Sequence, residues 1–450
     1  MKLKKLNLFN AIFILNPGLF FAQQANDTIK KNKEEKWSYH FQFTGVMQGH
    51  PSFHAPYAGP NSLSSEKESA FSVTSTFYLG RKLWKGASVY FNPEIAGGSG
   101  IGRTLGIAGF TNGECFRVAD ASPALYSARL FLRQHIALGQ SDMETAESDA
   151  NQIGGEKIPS SRITITAGHF SIADVFDNNS YSHDPRTQFL NWGLMNNGAW
   201  DYPANTRGYT NGFIVELIKP GWAVRVSETM VPKKANGPQM DENIGQARGE
   251  TVEFEKRIGI KKHKGAVRFL AFRNLSHSVS YQNTIALYTS GIDTTLNVNS
   301  PSVYGGQKYG FALNADQELT DDIGMFARAS WNDGKSSTWA FTEIDQSASI
   351  GISIKGSKWK RPDDVIGIAG LINGISSDHA DFLNYGGYGF MLGDGKLTHY
   401  GGEKIGEIYY SIKLADTFWL SADYQYVMNP AYNRDRGPVN VWAFRGHVKF

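Results

Sequence analysis

A single cysteine, Cys115, stands in a chain of 450 residues. That excludes an intramolecular disulfide framework and any zinc site built on several thiolates. No run of about 18 apolar residues occurs, and mean hydropathy is −0.35, so this is not the sequence of a helical membrane protein. Excess charge is missing too. Lys and Arg number 45 against 42 Asp and Glu, a net charge of +3, and no polybasic stretch marks a nucleic-acid partner. Glycine and aromatic residues are abundant instead, with 48 Gly and 13% Phe, Trp and Tyr. Length alone would suggest about three soluble domains; the pattern below predicts one large closed object.

Met1-Lys2-Leu3-Lys4-Lys5 opens the chain with positive charge. An apolar stretch from Leu6 to Phe21 follows, broken by Asn10 and by Asn16-Pro17-Gly18, and Ala22 precedes Gln23-Gln24. This order predicts an export signal over residues 1–22, cleaved after Ala22 or Ala25. Residues 23–36, with Lys30, Lys31, Lys33, Glu34, Glu35 and Lys36, read as a charged periplasmic tail. The folded body is expected over 37–450.

Within that body a period of two recurs. Trp37, Tyr39, Phe41, Phe43 and Met47 alternate with Ser38, His40, Gln42, Thr44 and Gln48. Phe71, Val73, Phe77 and Leu79 alternate with Ser72, Thr74 and Thr76. Val252, Phe254, Ile258 and Ile260 oppose Thr251, Glu253, Glu255 and Arg257; Ile408, Tyr410, Ile412 and Leu414 oppose Glu407, Tyr409, Ser411 and Lys413. At the end, Trp442, Phe444, Val448 and Phe450 oppose Arg445, His447 and Lys449. Such alternation specifies strands with two differently solvated faces. Further segments near 85–94, 125–138, 161–170, 207–218, 222–231, 264–274, 308–317, 322–332, 343–355, 364–371 and 417–427 bring the expected number to about 16.

A soluble sandwich and an outer-membrane barrel share this periodicity, and three features separate them. Aromatics cluster at strand ends (Trp37, Tyr78, Trp84, Tyr90, Trp222, Trp331, Tyr424, Tyr426 and Trp442), as in interfacial girdles. Connections alternate between tight ones, as at 219–221 and 261–263, and long ones, at 50–68, 95–124, 171–206, 275–307 and 372–403. The export signal supplies the compartment. The expected fold is therefore all-β: a closed antiparallel transmembrane β-barrel of about 16 strands, with a water-filled lumen narrowed by an inward loop. One connection breaks the rule. Residues 139–160 fall on the short side yet are long and acidic, and read as a solvated insertion.

In a barrel an arginine facing lipid at the midplane costs about 2–4 kcal/mol, so the charged faces should point inward. On 125–138, Arg129, Arg133 and His135 share one parity, and Tyr126, Ala128, Leu130 and Leu132 the other. The same parity turns Arg162, Arg225, Arg328 and Arg445 inward, with Glu94, Glu253, Glu255, Glu407 and Asp423. Arg forks and carboxylates both bind sugar hydroxyls. The densest motif is the 36-residue connection from Ser171, which either enters the channel or caps it. His169, Asp174, Asp177, His183 and Asp184 within and beside it match no calcium-loop spacing. Gly334-Lys335-Ser336 fails as a P-loop because Ala329 stands where glycine is required, and nothing pairs the scattered histidines with a nucleophile. Neither an enzyme nor a metal or other cofactor is expected.

Several stretches resemble the carbohydrate-selective porin family, the OprB family. They are Phe53-His54-Ala55-Pro56-Tyr57-Ala58-Gly59-Pro60-Asn61-Ser62-Leu63, Phe91-Asn92-Pro93-Glu94, Gly106 to Glu114, Ala128 to Gln134, the block from Phe176-Asp177-Asn178-Asn179 to Asn191-Trp192, Gly386-Gly387 with Gly393-Asp394-Gly395, Glu407-Ile408-Tyr409-Tyr410 and Gln425-Tyr426-Val427-Met428-Asn429-Pro430. The resemblance implies a 16-stranded outer-membrane barrel that passes mono- and oligosaccharides by passive diffusion through a charged narrowing that includes Arg. Arg129 and Arg133 lie in a matching stretch and face inward by parity. With Glu94, Arg225, Arg328, Asp177, Trp192 and Glu407 they form the expected constriction and substrate-binding set. Carbohydrate and outer-membrane lipid are the expected partners, and the barrel is expected as a homotrimer or a monomer. A general diffusion porin and a surface receptor or adhesin are the alternatives.

Overall fold

Alternating side chains leave each strand one apolar and one polar face, and a sheet of such strands in lipid must close. In the computed structural model, which describes residues 34–116, 122–299 and 301–450, it does so. The expected export signal 1–22, and the tail up to residue 33, lie outside the described residues.

The strands, in chain order, are β1 (Trp37–His50), β2 (Glu68–Trp84), β3 (Ala87–Gly98), β4 (Ala124–Ala137), β5 (Met143–Thr145), β6 (Lys157–Pro159), β7 (Arg162–Phe170), β8 (Thr210–Lys219) and β9 (Trp222–Thr229). They continue as β10 (Arg248–Ile260), β11 (His263–Ser276), β12 (Gly306–Glu318), β13 (Ile323–Asn332), β14 (Gln346–Gly356), β15 (Arg361–Gly374), β16 (Glu403–Ala415), β17 (Phe418–Met428) and β18 (Val439–Lys449). All except the small hairpin β5–β6 form one closed antiparallel barrel. β18 pairs with β1 from Gln42↔Lys449 to Gly49↔Trp442. No edge is left, so the backbone donors and acceptors of the wall find partners within it.

The inversion is plain on β10. Val252 and Phe254 are 47% and 45% exposed, whereas Glu253 and Glu255 are 0% and 5%. The terminal strand repeats it, with Phe444 outside and Arg445 buried. Arg129 and Glu407 are likewise buried inside, and Arg133 lines the interior beside Arg129.

Parity slips within β4. Asn92 pairs with Arg129 but Pro93 pairs with Ser127, so Ala128 is the extra residue of a β-bulge. Everything before the bulge changes face: Tyr126, expected outside with Leu130 and Leu132, turns into the lumen, and Leu125 takes the outer face. Tyr78 and Tyr90, expected in the girdles, are also buried inside, Tyr78 sharing its face with Thr74 and Thr76. Trp37, Trp84, Trp331 and Trp442 remain exposed on the exterior.

Tight turns at 85–86, 220–221, 261–262 and 416–417 gather at the end that holds both barrel termini, and the long connections, 138–161 excepted, gather at the other. Several long connections fold inward. Within 171–209 lies a single helical turn, α1 (Trp192–Met195). Two short helices, α2 (Tyr281–Thr289) and α3 (Ser377–Asn384), start from the side-chain caps Ser280 and Ser376. Phe110, Phe176, Phe189, Trp192, Trp200, Trp339 and Phe341 belong to one apolar cluster. Phe189 packs on the lumen-facing rings of Phe326 and Tyr409 at 5.5 and 5.0 Å. The loops thus carry an apolar core of their own into the barrel and occupy much of its width.

Candidate functional site

Across β8 to β12 the lumen wall is a ladder of opposite charges on cross-strand neighbours. Arg225 meets Glu216, Glu253 and Glu255 at 3.0, 2.8 and 3.2 Å. Arg268 joins Glu255 at 3.0 Å to Asp316 at 2.7 Å. Register makes the ladder: Arg225 lies opposite Glu253, and Glu255 opposite Arg268, and opposite-charge pairs stabilise a sheet face.

The inward connection 171–209 docks on this wall. Asp177 N–H donates to Glu253 at 2.7 Å, and Asn314 donates to the Asp177 carboxylate at 2.6 Å. Arg328 reaches the Asp177 carboxylate at 3.3 Å and the carbonyls of Leu194 and Ser182 at 2.6 and 2.7 Å. Farther round, Glu407 accepts Leu190 and Asn191 N–H at 2.6 and 3.0 Å. Arg445 donates to the carbonyls of Pro185 and Gln188 at 2.5 and 2.8 Å. Other buried carboxylates use the same grip on successive loop amides. Glu403 takes Ala108 and Gly109, Asp201 takes Trp339, Ala340 and Phe341, and Glu343 takes Met391 and Leu392. A carboxylate accepts charge-assisted bonds from backbone amides whose own partners are missing in irregular loops.

Held against β10 to β18, the connection leaves a gap beside β1 to β4. There a cavity of about 540 Å³ opens. Its walls carry Tyr78, Glu94, Tyr126, Arg129 and Arg133 from the barrel, and Glu114, Asp174, Arg186, Arg207 and Tyr209 from loops. Arg129 is clamped by Asp174. Arg186 holds Glu114 at 2.8 Å and approaches Glu94 at 3.6 Å. Glu94 accepts the hydroxyls of Tyr126, Thr76 and, at 3.1 Å, Tyr209. Arg207 is positioned by rings: its guanidinium lies 3.9 Å from the centre of Tyr126 and 4.5 Å from that of Phe116. Arg133 lies over Tyr90 and Phe131 at 5.4 and 5.1 Å. Among the described residues neither Arg133 nor Arg207 has a carboxylate within 4.0 Å, so these two guanidiniums are not tied up in a direct ion pair there.

Environment tunes the loop groups. Burial pushes the Glu114 carboxyl above its ordinary range, and Arg186 and Thr74 only partly oppose it. Asp184 is raised by burial but more strongly lowered by Arg186 and neighbouring donors, and ends below the usual range. Burial raises the Tyr209 phenol, so it stays a hydrogen-bond donor throughout the physiological range.

Of the residues singled out in the sequence, Arg129, Arg133 and Glu94 come together around the cavity. Arg225 sits in the wall ladder. Asp177, Arg328 and Glu407 lie at the loop anchors. Trp192 is buried in the loop core against Phe110 and Phe341, at 5.5 and 5.2 Å. His169, Asp174, Asp177, His183 and Asp184 do not converge: His169 pairs with Asn211, Asp174 with Arg129 and Asp177 with Arg328. The residues that parity could not supply are Arg186, Arg207, Tyr209 and Glu114, all outside the strands. Tyr126 was hidden by the bulge.

A comparison with curated protein sequences gives no match. Among solved structures, the high-pH structure of OprB from Pseudomonas putida is similar over 92% of this chain and 94% of that one, at 13% identity and a TM-score of 0.68. The low-pH structure of the same protein covers 92% and 93%, at 12% identity and a TM-score of 0.50. These likenesses establish the barrel fold. The carbohydrate-selective porin family, OprB, matches residues 61–450, nearly the whole barrel, and the chain therefore belongs to the OprB family of carbohydrate-selective porins of the outer membrane.

Proposed function

We propose that the cavity beside β1 to β4 is the waist at which this porin selects carbohydrates, and that Arg129, Arg133, Arg186 and Arg207 line it as the arginine face of the constriction. One observation carries the reading. The docked connection is held against β10 to β18, and the cavity on the opposite flank is lined by arginines, carboxylates and tyrosines together.

That mixture suits a polyol. A sugar hydroxyl donates to Glu94 or Glu114 and accepts from an arginine fork, and Tyr78, Tyr126 and Tyr209 do either. Ring faces cover the apolar face of a pyranose. Most of the charges already hold one another, so each contact with a passing sugar exchanges one hydrogen bond for another. Passive diffusion requires such weak, repeated contacts, since tight binding would stop release. The fixed arrangement of Arg207 on Tyr126 keeps a guanidinium in the waist with little conformational cost.

The test is single-channel conductance of purified protein in a planar bilayer, challenged with maltooligosaccharides. Graded current block by sugars supports the reading. The Arg129→Ala, Arg133→Ala double variant is expected to fold, to block more weakly and to change its ion selectivity. Conductance without sugar block would make the chain a general diffusion porin, and no conductance would favour a surface receptor or adhesin.

A further inference from the structure

The connection between β4 and β7, residues 138–161, lies among the tight turns. It carries Asp142, Glu144, Glu147, Asp149 and Glu156 against one basic residue, Lys157. It does not hang free in solvent. β5 and β6 form its stem, and the segment between them turns back into the barrel. Ser38 Oγ donates to the Gln152 carbonyl at 3.2 Å, and His40 Nε2 lies 3.2 Å from Ser148 Oγ. Lys449 Nζ meets Asp149 at 2.7 Å. Asn92 Nδ2 donates to Asn151 Oδ1 at 2.9 Å and Arg133 Nη1 to the Asn151 carbonyl at 3.1 Å. Glu35 N–H donates to the Gly154 carbonyl at 3.0 Å. The grips run across β18, β1, β3 and β4.

The depth of this insert matters. Asn92 is the register partner of Arg129, so Asn151, bonded to Asn92, stands at the level of the waist. Asn151 makes the reversal at the tip with φ +56°, a left-handed conformation that Asn tolerates better than most residues. Ile153 beside it is fully buried. Asp149, Ala150, Asn151 and Gln152 line the same cavity as Arg129, Arg186 and Arg207. The connection 171–209 bounds the cavity from the long-loop side, and the insert bounds it from the tight-turn side. A merely solvated insertion would bury no isoleucine and bond to no wall strand.

We propose that residues 142–159 are a second selectivity element, a folded acidic insert that narrows the periplasmic exit of the waist. This rests on reading the cavity as the waist of the channel. The physical consequence is a second charged layer, its exposed acids Asp142, Glu144 and Glu147 set on the periplasmic side of the arginine face. An anion drawn to Arg133 and Arg207 meets carboxylates on leaving, and a cation meets the arginines. A neutral polyol crosses both without an electrostatic barrier. The two layers together favour uncharged sugars over ions of either sign, which neither layer does alone.

Two variants test this in planar bilayers against wild-type protein. One replaces residues 142–159 by Asn-Gly. The other keeps the insert and carries Asp142→Asn, Glu144→Gln, Glu147→Gln, Asp149→Asn and Glu156→Gln. The shortened barrel is expected to conduct at least about twofold more and to shift its reversal potential toward anion selectivity. The amide variant is expected to show the same shift in selectivity, and it decides the matter if the shortened chain does not fold. Unchanged conductance and reversal potential in the folded variants, with maltooligosaccharides still blocking the wild type, overturn the insert's role and leave the waist standing. Wild-type current that sugars do not block removes the waist, and the proposal with it.

Discussion

Arg129 and Asp174 meet fork to fork: Nε donates to Oδ2 and Nη2 to Oδ1, both at 2.6 Å. The pair ties β4 to the first turn of the inward connection, on the flank where the cavity separates that connection from the wall. Burial alone would raise the Asp174 carboxyl, but the Arg129 guanidinium outweighs it, and Asp174 lies below the usual carboxylate range. The sign follows. A depressed acid stabilises the folded arrangement fully above its unfolded pKa of about 3.9 and loses that contribution as pH falls through the lower folded value. The Arg129–Asp174 contribution to conductance and sugar block should therefore hold steady from neutral pH down to about 4 and change below it, whereas Glu114, raised by burial, titrates at higher pH. Asp174→Asn should bring the acid behaviour to neutral pH and remove the step. A conductance series against pH on both proteins checks this, and a step that survives in Asp174→Asn assigns it to another group.

Arg133 and Arg207 differ from Arg129 and Arg186 in having no carboxylate partner among the described residues. Neutralising them removes field from the waist without breaking a direct ion pair. Arg133→Gln with Arg207→Gln is expected to lower anion permeability relative to cations. Sugar block should weaken by a factor of about 5 to 30, the worth of one or two hydrogen bonds at about 1 kcal/mol each. Reversal potentials in a salt gradient and titration of current with maltose oligomers measure both. Arg129→Gln is expected to act differently, because it also releases Asp174.

The barrel was legible because alternation is a local property that survives without knowledge of partners. Strand number, the inward turn of Arg129 and Glu407, and the alternating connection lengths all follow from a period of two. Legibility stopped where the backbone leaves that period. The bulge at Ala128 moved Tyr126 to the other face, and no composition cue marks a bulge. The inward acids looked like a channel lining, and parity alone could say no more. Glu407, Glu403 and Asp201 bind loop amides, a role set by loops that have no periodicity. Arg186, Arg207 and Tyr209 reach the waist from irregular segments, so only the folded chain brings them beside Glu94. The acidic stretch 139–160 was readable as an anomaly, and its return into the lumen was not.

Loop anchors should cost stability where waist residues do not. Arg328 binds the Asp177 carboxylate and the carbonyls of Leu194 and Ser182 within the barrel. Arg328→Ala leaves Asp177 buried without its cation, a loss of about 3–5 kcal/mol for pairs of this kind. The connection 171–209 should loosen, with larger and noisier single-channel currents and weaker discrimination among sugars. The unfolding midpoint in detergent should fall. Asp177→Asn with Arg328→Met, which removes both charges, should recover part of that loss. Failure of the double variant to recover any of it would mean that Arg328 acts through the carbonyls alone.

The sharpest check on the inversion uses neighbours in one strand. Glu253 and Phe254 are adjacent at the middle of β10, one fully buried inside and the other 45% exposed. If Phe254 faces hydrocarbon, Phe254→Arg must bring a guanidinium to the bilayer midplane, at a cost of about 2–4 kcal/mol. Phe254→Leu keeps an apolar contact with lipid and should cost less than about 1.5 kcal/mol. Were the outer face wet, the order would reverse, because an exposed Arg is tolerated in water and the strand would lose only an apolar neighbour of Phe269, its register partner. Urea titration of folding into lipid vesicles separates the two cases. A Phe254→Arg barrel as stable as the Phe254→Leu barrel would place Phe254 against water, and the charges of the opposite face could not then surround a channel.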